Sequence, residues 1–276
     1  MIRKTIGYYR EDFDKEADRL ILEIGNGQVI CILRKNDEPN LQAFELFETE
    51  NNPDWNDLIS ELISGSDILA KTYQDTQCYY NCEEALVIPD EKFNPSAAED
   101  FLSLIYGEKN DFDIKHDTLS GTGLVNAYRI PKSLHDAIGR RFVLYRPAHS
   151  YSPILHRVLT REKLPEYLVQ IHFYSKHIIV VYVMNGQLQL VQSFKYHSAA
   201  DILYYLVTLQ QQYQLPESEG HLEICGMLDS DSVSQKQLQK LFGNISFHSV
   251  EKDKDFLDAV SLYPSYYFTP FYKLGV

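Results

Sequence analysis

Near the start of the chain, Glu23 and the glycines that follow it are the residues best suited to chemistry. Residues 23–27 read Glu-Ile-Gly-Asn-Gly. Gly25 and Gly27 would let backbone amides come close to a ligand, and backbone amides of this kind can cradle a phosphate. Asn26 and Gly27 are also among the commonest residues of a tight hairpin turn between two strands. We favour the plain turn and keep the phosphate cradle as the alternative.

A second group of polar and aromatic side chains lies in the middle of the chain. Gln170, His172 and Tyr174 alternate in sequence, so a strand would place all three on one face. This row could line a ligand-binding cleft, or it could be a layer of side chains that fills such a cleft. Filling is the interpretation that we favour.

Other catalytic and metal-binding patterns do not occur in the sequence. It contains no Gly-x-Ser-x-Gly nucleophile elbow, no dinucleotide-binding glycine fingerprint and no Walker lysine motif. None of the nine histidines has a partner at zinc-site spacing, and we expect the neighbours His135 and Asp136 to point apart. Asp229 and Asp231 could bind a cation, but we favour a helix-capping loop there. The sequence therefore predicts no catalytic residue and no metal site.

The elements that would position these residues form a pattern that occurs twice. Three strands in a meander are predicted at 20–25, 28–34 and 41–47, and again at 167–173, 178–184 and 188–194. Helices and strands then alternate in each half. The other predicted strands are 84–88, 123–130, 141–145, 222–226 and 245–250, and the predicted helices are 54–63, 97–106, 131–138, 153–159, 198–213 and 234–242.

Two tandem units of this kind resemble the actin-like ATPase superfamily, which includes actin, sugar kinases, the 70-kDa chaperones and bacterial pilus and division ATPases. Residues 22–31, Leu-Glu-Ile-Gly-Asn-Gly-Gln-Val-Ile-Cys, look like its first phosphate loop. The whole pattern is also similar to a bacterial family of uncharacterised proteins with this fold. The segment from about 85 to 155 looks like the subdomain inserted in the pilus-assembly branch. The resemblance covers roughly residues 20–250.

The resemblance implies a particular fold class and domain division. We expect an α/β protein with a duplicated actin-like ATPase fold, which is ribonuclease H-like, and two lobes around a cleft. The N-terminal lobe would span residues 1–160, including the inserted subdomain, and the C-terminal lobe would span residues 161–276.

The resemblance also implies positions for magnesium, which this chain has altered. In active members each phosphate loop begins with an aspartate that holds the ion, followed by glycines that let backbone amides approach the phosphates. Glu23 stands at the first aspartate position, and its side chain is longer by one methylene. Gln170, which carries no charge, stands at the second.

The positions expected to accept phosphate and adenosine are changed as well. His172, Phe173 and Tyr174 stand where small residues are expected, and a bulky ring there would fill the space of a γ-phosphate. The adenosine loop ends in two glycines in the superfamily, and Gly226-Met227 corresponds to it here. We therefore expect no conventional ATP hydrolysis, and ATP with magnesium is the one cofactor that the resemblance leaves open. The vestigial nucleotide positions would be Glu23, Gly25, Asn26, Gly27, Gln170, His172 and Gly226.

Composition and charge exclude several classes of partner. The chain has 276 residues, with 26 Lys or Arg against 39 Asp or Glu, and its net charge is −13. Nucleic acid backbones and anionic membrane surfaces both attract clustered Lys and Arg, so neither suits this chain. The sequence contains no apolar run long enough for a signal peptide or membrane helix, and its four cysteines lack the usual zinc spacing. We expect a cytoplasmic protein with reduced thiols, no membrane insertion and no nucleic acid partner.

The segment 263–272, Tyr-Pro-Ser-Tyr-Tyr-Phe-Thr-Pro-Phe-Tyr, holds six aromatic residues. Its two prolines are incompatible with one regular helix, and its rings must be buried somewhere. The segment could fold back on its own chain, which we favour. Alternatively it could dock on another protein, because Tyr and Phe are enriched in interface cores.

Together these observations predict a non-catalytic actin-like scaffold or regulatory protein that binds another protein. The alternative is a divergent nucleotide-binding ATPase or kinase of the same superfamily, which would use Glu23 and Gly226. A rise in thermal stability with Mg-ATP would separate the two, because a ligand that binds only the folded state stabilises it.

Overall fold

The structure is a computed structural model that describes residues 2–11, 13, 19–35, 40–50, 54–215, 219–228, 235–250 and 253–275. Asp229 and Asp231, the candidate cation-binding or capping pair, lie outside the described residues. The chain divides into two units. The N-terminal unit is Met1–His156 with Leu274–Val276, and the C-terminal unit is Arg157–Lys273.

The N-terminal unit is built on a six-stranded mixed sheet and a smaller sheet. In chain order its elements are β1 (Arg3–Tyr9), β2 (Arg19–Gly25), β3 (Gln28–Arg34), β4 (Leu41–Glu48), α1 (Trp55–Gly65), β5 (Asp75–Asn81), β6 (Ala85–Pro89), α2 (Ala98–Tyr106), β7 (Phe112–Leu119), β8 (Leu124–Pro131), α3 (Lys132–Arg141), β9 (Tyr145–His149) and α4 (Tyr151–Leu159). The strand order of the large sheet is β1-β4-β3-β2-β5-β9, and β6, β8 and β7 form the antiparallel small sheet. The boundary between the two units falls within α4.

The C-terminal unit is built on one five-stranded sheet. Its elements are β10 (Tyr167–Phe173), β11 (His177–Met184), β12 (Gln187–Lys195), α5 (Ala199–Tyr213), β13 (His221–Gly226), α6 (Gln235–Leu241), β14 (Asn244–Phe247), α7 (Lys254–Ala259) and α8 (Thr269–Tyr272). The strand order is β12-β11-β10-β13-β14. Helix α5 begins with a capping box, in which Ser198 and Asp201 exchange side chain to backbone hydrogen bonds.

The two large sheets repeat one topology, which confirms the pattern found in the sequence. In both sheets, three antiparallel strands form a meander. The first strand of the meander pairs in parallel with the next strand of the sheet, which pairs in parallel with a further one. The order β4-β3-β2-β5-β9 in the N-terminal unit matches β12-β11-β10-β13-β14 in the C-terminal unit. Strands β2 and β10, which carry most of the candidate residues, therefore lie where the antiparallel half of each sheet meets the parallel half.

One predicted strand in the N-terminal unit is wrong, and three strands, β1, β5 and β7, were not predicted. The sequence suggested a strand at 141–145, but Arg141 ends α3 and the strand is β9, four residues later. Strand β9 lies at the edge of the sheet, where Pro147 is tolerated because an edge strand leaves one side of its backbone unpaired. Of the three strands that were not predicted, β5 occupies the position directly beside β2.

The aromatic segment 263–272 folds back within the C-terminal unit, as we favoured. Phe268 and Phe271 are fully buried, and the ring of Phe268 lies 5.2 Å from that of Phe256. The carbonyl of Tyr266 accepts the N–H of Gly226 at 2.9 Å, which joins the segment to the end of β13. The aromatic segment is therefore part of the core of this unit. Among the described residues, no helix has both the length and the apolar character to cross a membrane.

Candidate functional site

Glu23 lies in the centre of β2 and its side chain is buried. The hydroxyl of Ser150, directly after β9, donates a hydrogen bond to Glu23 Oε1 at 2.6 Å. A buried carboxylate is tolerated only with polar partners, and Ser150 supplies one of them. No local pattern connects these two residues, which are 127 positions apart.

The glycines after Glu23 serve close backbone packing. A Cβ on Gly25 would lie 2.7 Å from the carbonyl oxygen of Asn81, which is its partner in the parallel pair of β2 and β5. Asn26 and Gly27 form the predicted turn between β2 and β3, and Gly27 has a φ of 91°, a conformation that favours glycine. Strand pairing and turn geometry therefore account for both glycines without a ligand.

In the C-terminal unit, four side chains of β10 and β13 form a continuous hydrogen-bonded chain. The parallel register places Gln170 beside Glu223 and His172 beside Cys225. Gln170 Nε2 donates to Glu223 Oε2 at 2.8 Å, and Gln170 Oε1 lies 2.8 Å from His172 Nε2. Cys225 Sγ lies 3.3 Å from His172 Nδ1. The two predicted residues are thus joined to two that the sequence analysis did not select.

The direction of this chain follows from Glu223, which as a carboxylate can only accept. Gln170 must then present its amide nitrogen to Glu223 and its oxygen to His172. His172 Nε2 therefore carries a proton and donates it, which leaves Nδ1 to accept from the Cys225 thiol. Each group has one role, so the hydrogen-bonded chain requires an ionised Glu223, a neutral His172 and a protonated Cys225.

The protonation states of the buried groups agree with that direction. Burial, and then the charge of Arg157, lower the pKa of His172 well below its usual range, so the imidazole is neutral at pH 7. Burial raises the pKa of the Cys225 thiol to about 12. A thiol needs to ionise to act as a nucleophile or metal ligand, so Cys225 is chemically inert here. The chain holds its protons in place and is not arranged for proton transfer.

Glu223 is the acceptor at one end of the chain and also the centre of a charged cluster. Arg161 Nη1 lies 2.8 and 2.9 Å from its two carboxylate oxygens, and His248 Nε2 lies 3.1 Å from Oε2. Burial disfavours the carboxylate, but the hydrogen bond from His248 and the charges of His248 and Arg161 outweigh it. The pKa of Glu223 falls to about 2 as a result.

A cavity of about 180 Å³ lies beside this cluster, entirely within the C-terminal unit. We call it the cationic pocket, because three of its lining residues, Arg157, Arg161 and Lys273, have basic side chains. Its other lining residues are Val158, Gln170, His172, Cys225, His248 and Thr269. Gln170 and His172, two residues of the predicted row, therefore line a pocket within the C-terminal unit.

The aromatic residues after His172, Phe173 and Tyr174, lie away from the cationic pocket. Phe173 belongs to the hydrophobic core on the opposite face of β10, as strand alternation requires. Tyr174 stacks on His177 at a centroid distance of 4.7 Å and meets Phe271 edge to face. Neither ring is among the residues that line the cationic pocket, so neither fills it.

Gly226 ends β13 under a strong steric restriction. Its φ is 98°, and a Cβ there would lie only 2.2 Å from the carbonyl oxygen of Phe173. The N–H of Met227 donates to that same carbonyl at 2.9 Å. The glycine is therefore required by the pairing of β10 with the end of β13.

Asp113, His135 and Asp136 form the cluster best placed to hold a metal ion among the described residues. Their potential ligand atoms lie within 4.8 Å of one another, and His135 Nδ1 is 2.5 Å from Asp113 Oδ2. The expectation that His135 and Asp136 point apart is wrong, because their potential ligand atoms lie close together. Asp113 on β7 brings a third group to this end of α3. The cluster is partly exposed, and the hydrogen bond between His135 and Asp113 already engages two of its members.

Sequence comparison identifies a family. A family model described as "Protein of unknown function (DUF3822)" matches residues 11–245. A search of curated proteins gave no significant match.

Two solved structures share the fold over nearly the whole chain. One is a Bacteroides thetaiotaomicron protein described as having an actin-like ATPase fold and unknown function. It is 17% identical, with a TM-score of 0.79 over 92% of this chain and 100% of that one. The other is a PilM–PilN type IV pilus biogenesis complex, in which the matching chain is 11% identical with a TM-score of 0.60 over 94% of this chain and 98% of that one. The fold is therefore the actin-like ATPase fold, as the resemblance predicted.

Proposed function

This chain belongs to the DUF3822 family of proteins of unknown function, and on that premise we propose that it is a non-catalytic actin-like protein of the cytoplasm that binds another protein. The fold alone does not assign an activity, because the same fold carries many functions. Support for the proposal therefore comes from the residues at the expected magnesium and phosphate positions.

The observation that carries the proposal is the hydrogen-bonded chain of Gln170, His172, Glu223 and Cys225. A magnesium site needs carboxylate oxygens that are free to face the ion and its waters. Gln170 has no charge and both ends of its amide are engaged, while the carboxylate of Glu223 is held by Arg161 and His248. Three basic side chains line the same pocket and would repel a divalent ion.

Two further observations support a protein partner. Val143 and Leu144, adjacent in the turn between α3 and β9, are 85% and 86% exposed. Large apolar side chains that remain together in water are typical of interaction surfaces. One of the structural neighbours is described as part of a complex with a second protein, PilN.

Turnover of Mg-ATP by the full-length chain tests the absence of catalysis. We expect no release of phosphate above a blank without protein. Release that Glu23→Gln abolishes and Glu48→Gln preserves would contradict the proposal, because Glu23 stands at the expected metal position and Glu48 is an exposed glutamate in the same sheet. The amide in Glu23→Gln can still accept the hydrogen bond from Ser150, so this variant is expected to fold.

Cross-linking in cells of the source organism, followed by mass spectrometry, tests the partner. We expect a reproducible cross-linked protein whose yield falls about tenfold in the double variant Val143→Ser, Leu144→Ser, since central apolar contacts dominate binding energy. Leu262→Ser is the matched control, because Leu262 is 96% exposed in the C-terminal unit. Equal yields from the double variant and wild type would exclude this surface, and no specific cross-link at all would contradict a scaffold role.

A further inference from the structure

The sign of the charge in the cationic pocket is opposite to that of the whole chain. The sequence carries a net charge of −13, yet three basic side chains, Arg157, Arg161 and Lys273, line the pocket. Among the described residues, Arg161 pairs with Glu223, and the ammonium group of Lys273 has no carboxylate partner. Such a concentration within an acidic protein needs a physical reason, because partly buried charges without counter-ions are costly.

Two of these cations have hydrogen-bond donors that the described residues do not use. The ammonium group of Lys273 makes no hydrogen bond or ion pair within the described part of the chain, although it lines the pocket. Arg161 contacts Glu223 through Nη1, and this leaves its Nη2 and Nε donors for another acceptor. Arg157 donates to the carbonyl of Lys273, which ties the backbone of the aromatic segment to α4.

The electrostatic balance of the pocket points to an absent anion. Burial, and then the charge of Arg157, lower the pKa of Lys273 below its ordinary value. The positive groups therefore oppose one another in the folded protein. An anion among them would reverse that effect, because an opposite charge within hydrogen-bond distance favours the protonated lysine.

The size of the pocket restricts the anion. A volume of about 180 Å³ corresponds to about six water molecules at roughly 30 Å³ each. Sites for drug-sized ligands start at about 300 Å³, so the pocket does not enclose a whole nucleotide. One tetrahedral oxyanion fits, with space for a few further atoms, and several oxygens could then accept from the surrounding donors.

The position of the pocket is also one where this class of sheet binds ligands. His172 and Cys225 lie towards the carboxyl ends of the parallel strands β10 and β13, and Gln170 is in the middle of β10. In open α/β sheets, ligands bind outside the carboxyl ends of such strands. The inert chain of Gln170, His172 and Cys225 would form a rigid, neutral wall on one side of the ligand.

We propose that the cationic pocket binds a phosphate group directly, through the side chains of Lys273, Arg161 and Arg157. Arginine and lysine are the side chains that recognise phosphate without a metal ion. The phosphate belongs either to inorganic phosphate or to a small phosphate ester. This inference goes beyond the proposed function and does not depend on it.

Calorimetric titration of the full chain with inorganic phosphate, with a chelator present and ionic strength held constant, tests the proposal. We expect saturable binding that weakens about tenfold or more in Lys273→Gln, since a hydrogen bond to a charged group is worth about 1.5–3 kcal/mol. Without phosphate, Lys273→Gln should melt at or above the wild-type temperature, because it removes a repelled charge. Lys176→Gln is the matched control: Lys176 is an exposed lysine of the same unit, and its loss should leave phosphate binding unchanged.

Titrations with further ligands distinguish a free phosphate ion from a phosphate ester. They also give the results that would overturn the proposal. Glycerol 3-phosphate that binds as tightly as inorganic phosphate would identify an ester, and binding of inorganic phosphate alone would identify the free ion. Saturable binding of succinate without binding of phosphate would overturn the choice of phosphate. No saturable binding of phosphate, or equal binding by wild type and Lys273→Gln, would overturn the site itself.

Discussion

Replacing Gly226 by alanine is expected to lower the free energy of unfolding by about 3 kcal/mol or more, a large effect for one methyl group. The new Cβ would lie 2.2 Å from the carbonyl oxygen of Phe173 and 2.8 Å from its nitrogen. Both are backbone atoms of the neighbouring strand, so relief requires β10 and β13 to separate. Urea-induced unfolding, followed by far-ultraviolet circular dichroism, measures the loss.

Gly186→Ala is the matched control for this prediction. Gly186 also has a positive φ, of 74°, but no described atom lies within 4 Å of its hypothetical Cβ. It should therefore lose only the cost of a left-handed backbone, about 1–2 kcal/mol. If the two variants lose equal stability, the close approach of Phe173 is not what requires a glycine at position 226.

Glu223→Gln is expected to destabilise the folded protein by about 3 kcal/mol at neutral pH. The substitution keeps the shape of the side chain but removes the only carboxylate that Arg161 and His248 contact in the described residues, and breaking a buried ion pair by removing one partner costs roughly 3–5 kcal/mol. The same chemical unfolding experiment measures the difference.

The pH dependence gives a second readout for Glu223. The folded protein lowers the pKa of this carboxyl from 4.5 to about 2, so its ionised form stabilises the fold above pH 4.5. That contribution is lost as the pH falls from about 4.5 towards 2, where the folded protein also takes up the proton. Between those values wild type should lose stability, and Glu223→Gln should lose less, because its amide does not titrate.

Glu48→Gln provides the control for an exposed ion pair. Glu48 pairs with Arg3, and both side chains are largely in solvent. Exposed pairs contribute about 0–1 kcal/mol, so this variant should be nearly as stable as wild type. A loss in Glu48→Gln as large as that in Glu223→Gln would mean that burial and the charged cluster do not determine the effect.

The sequence was sufficient to predict the repeated meanders because their signals are local. Asn-Gly turns and apolar residues define β2, β3, β11 and β12 within a few positions of one another. Strand β5 was missed because its first residues are polar: Asp75 pairs with Arg19, and the amide of Gln77 donates to Arg146. Those partners lie on neighbouring strands, and no local sequence pattern predicts them.

Some residues of the candidate site could likewise be predicted from a local pattern, and others are brought there only by the fold. Gln170 and His172 could be found because alternation places both on one face of β10. Glu223 comes beside them only through the parallel register of β13, 53 positions later. Lys273 reaches the pocket only because the aromatic segment folds back onto its own unit. The spacing of Arg157 and Arg161, four residues apart, was the one local signal that could have indicated a basic site.

We propose that the polar groups of β10 and β13 hydrogen-bond to one another and therefore leave no site for a magnesium-nucleotide complex. Calorimetric titration with ATP, in the presence and absence of Mg²⁺, tests this most directly. The structure predicts at most weak binding through a phosphate group, which Mg²⁺ weakens further because the ion neutralises charge that the cationic pocket attracts. Binding of ATP that requires Mg²⁺ or becomes tighter with it would contradict the account.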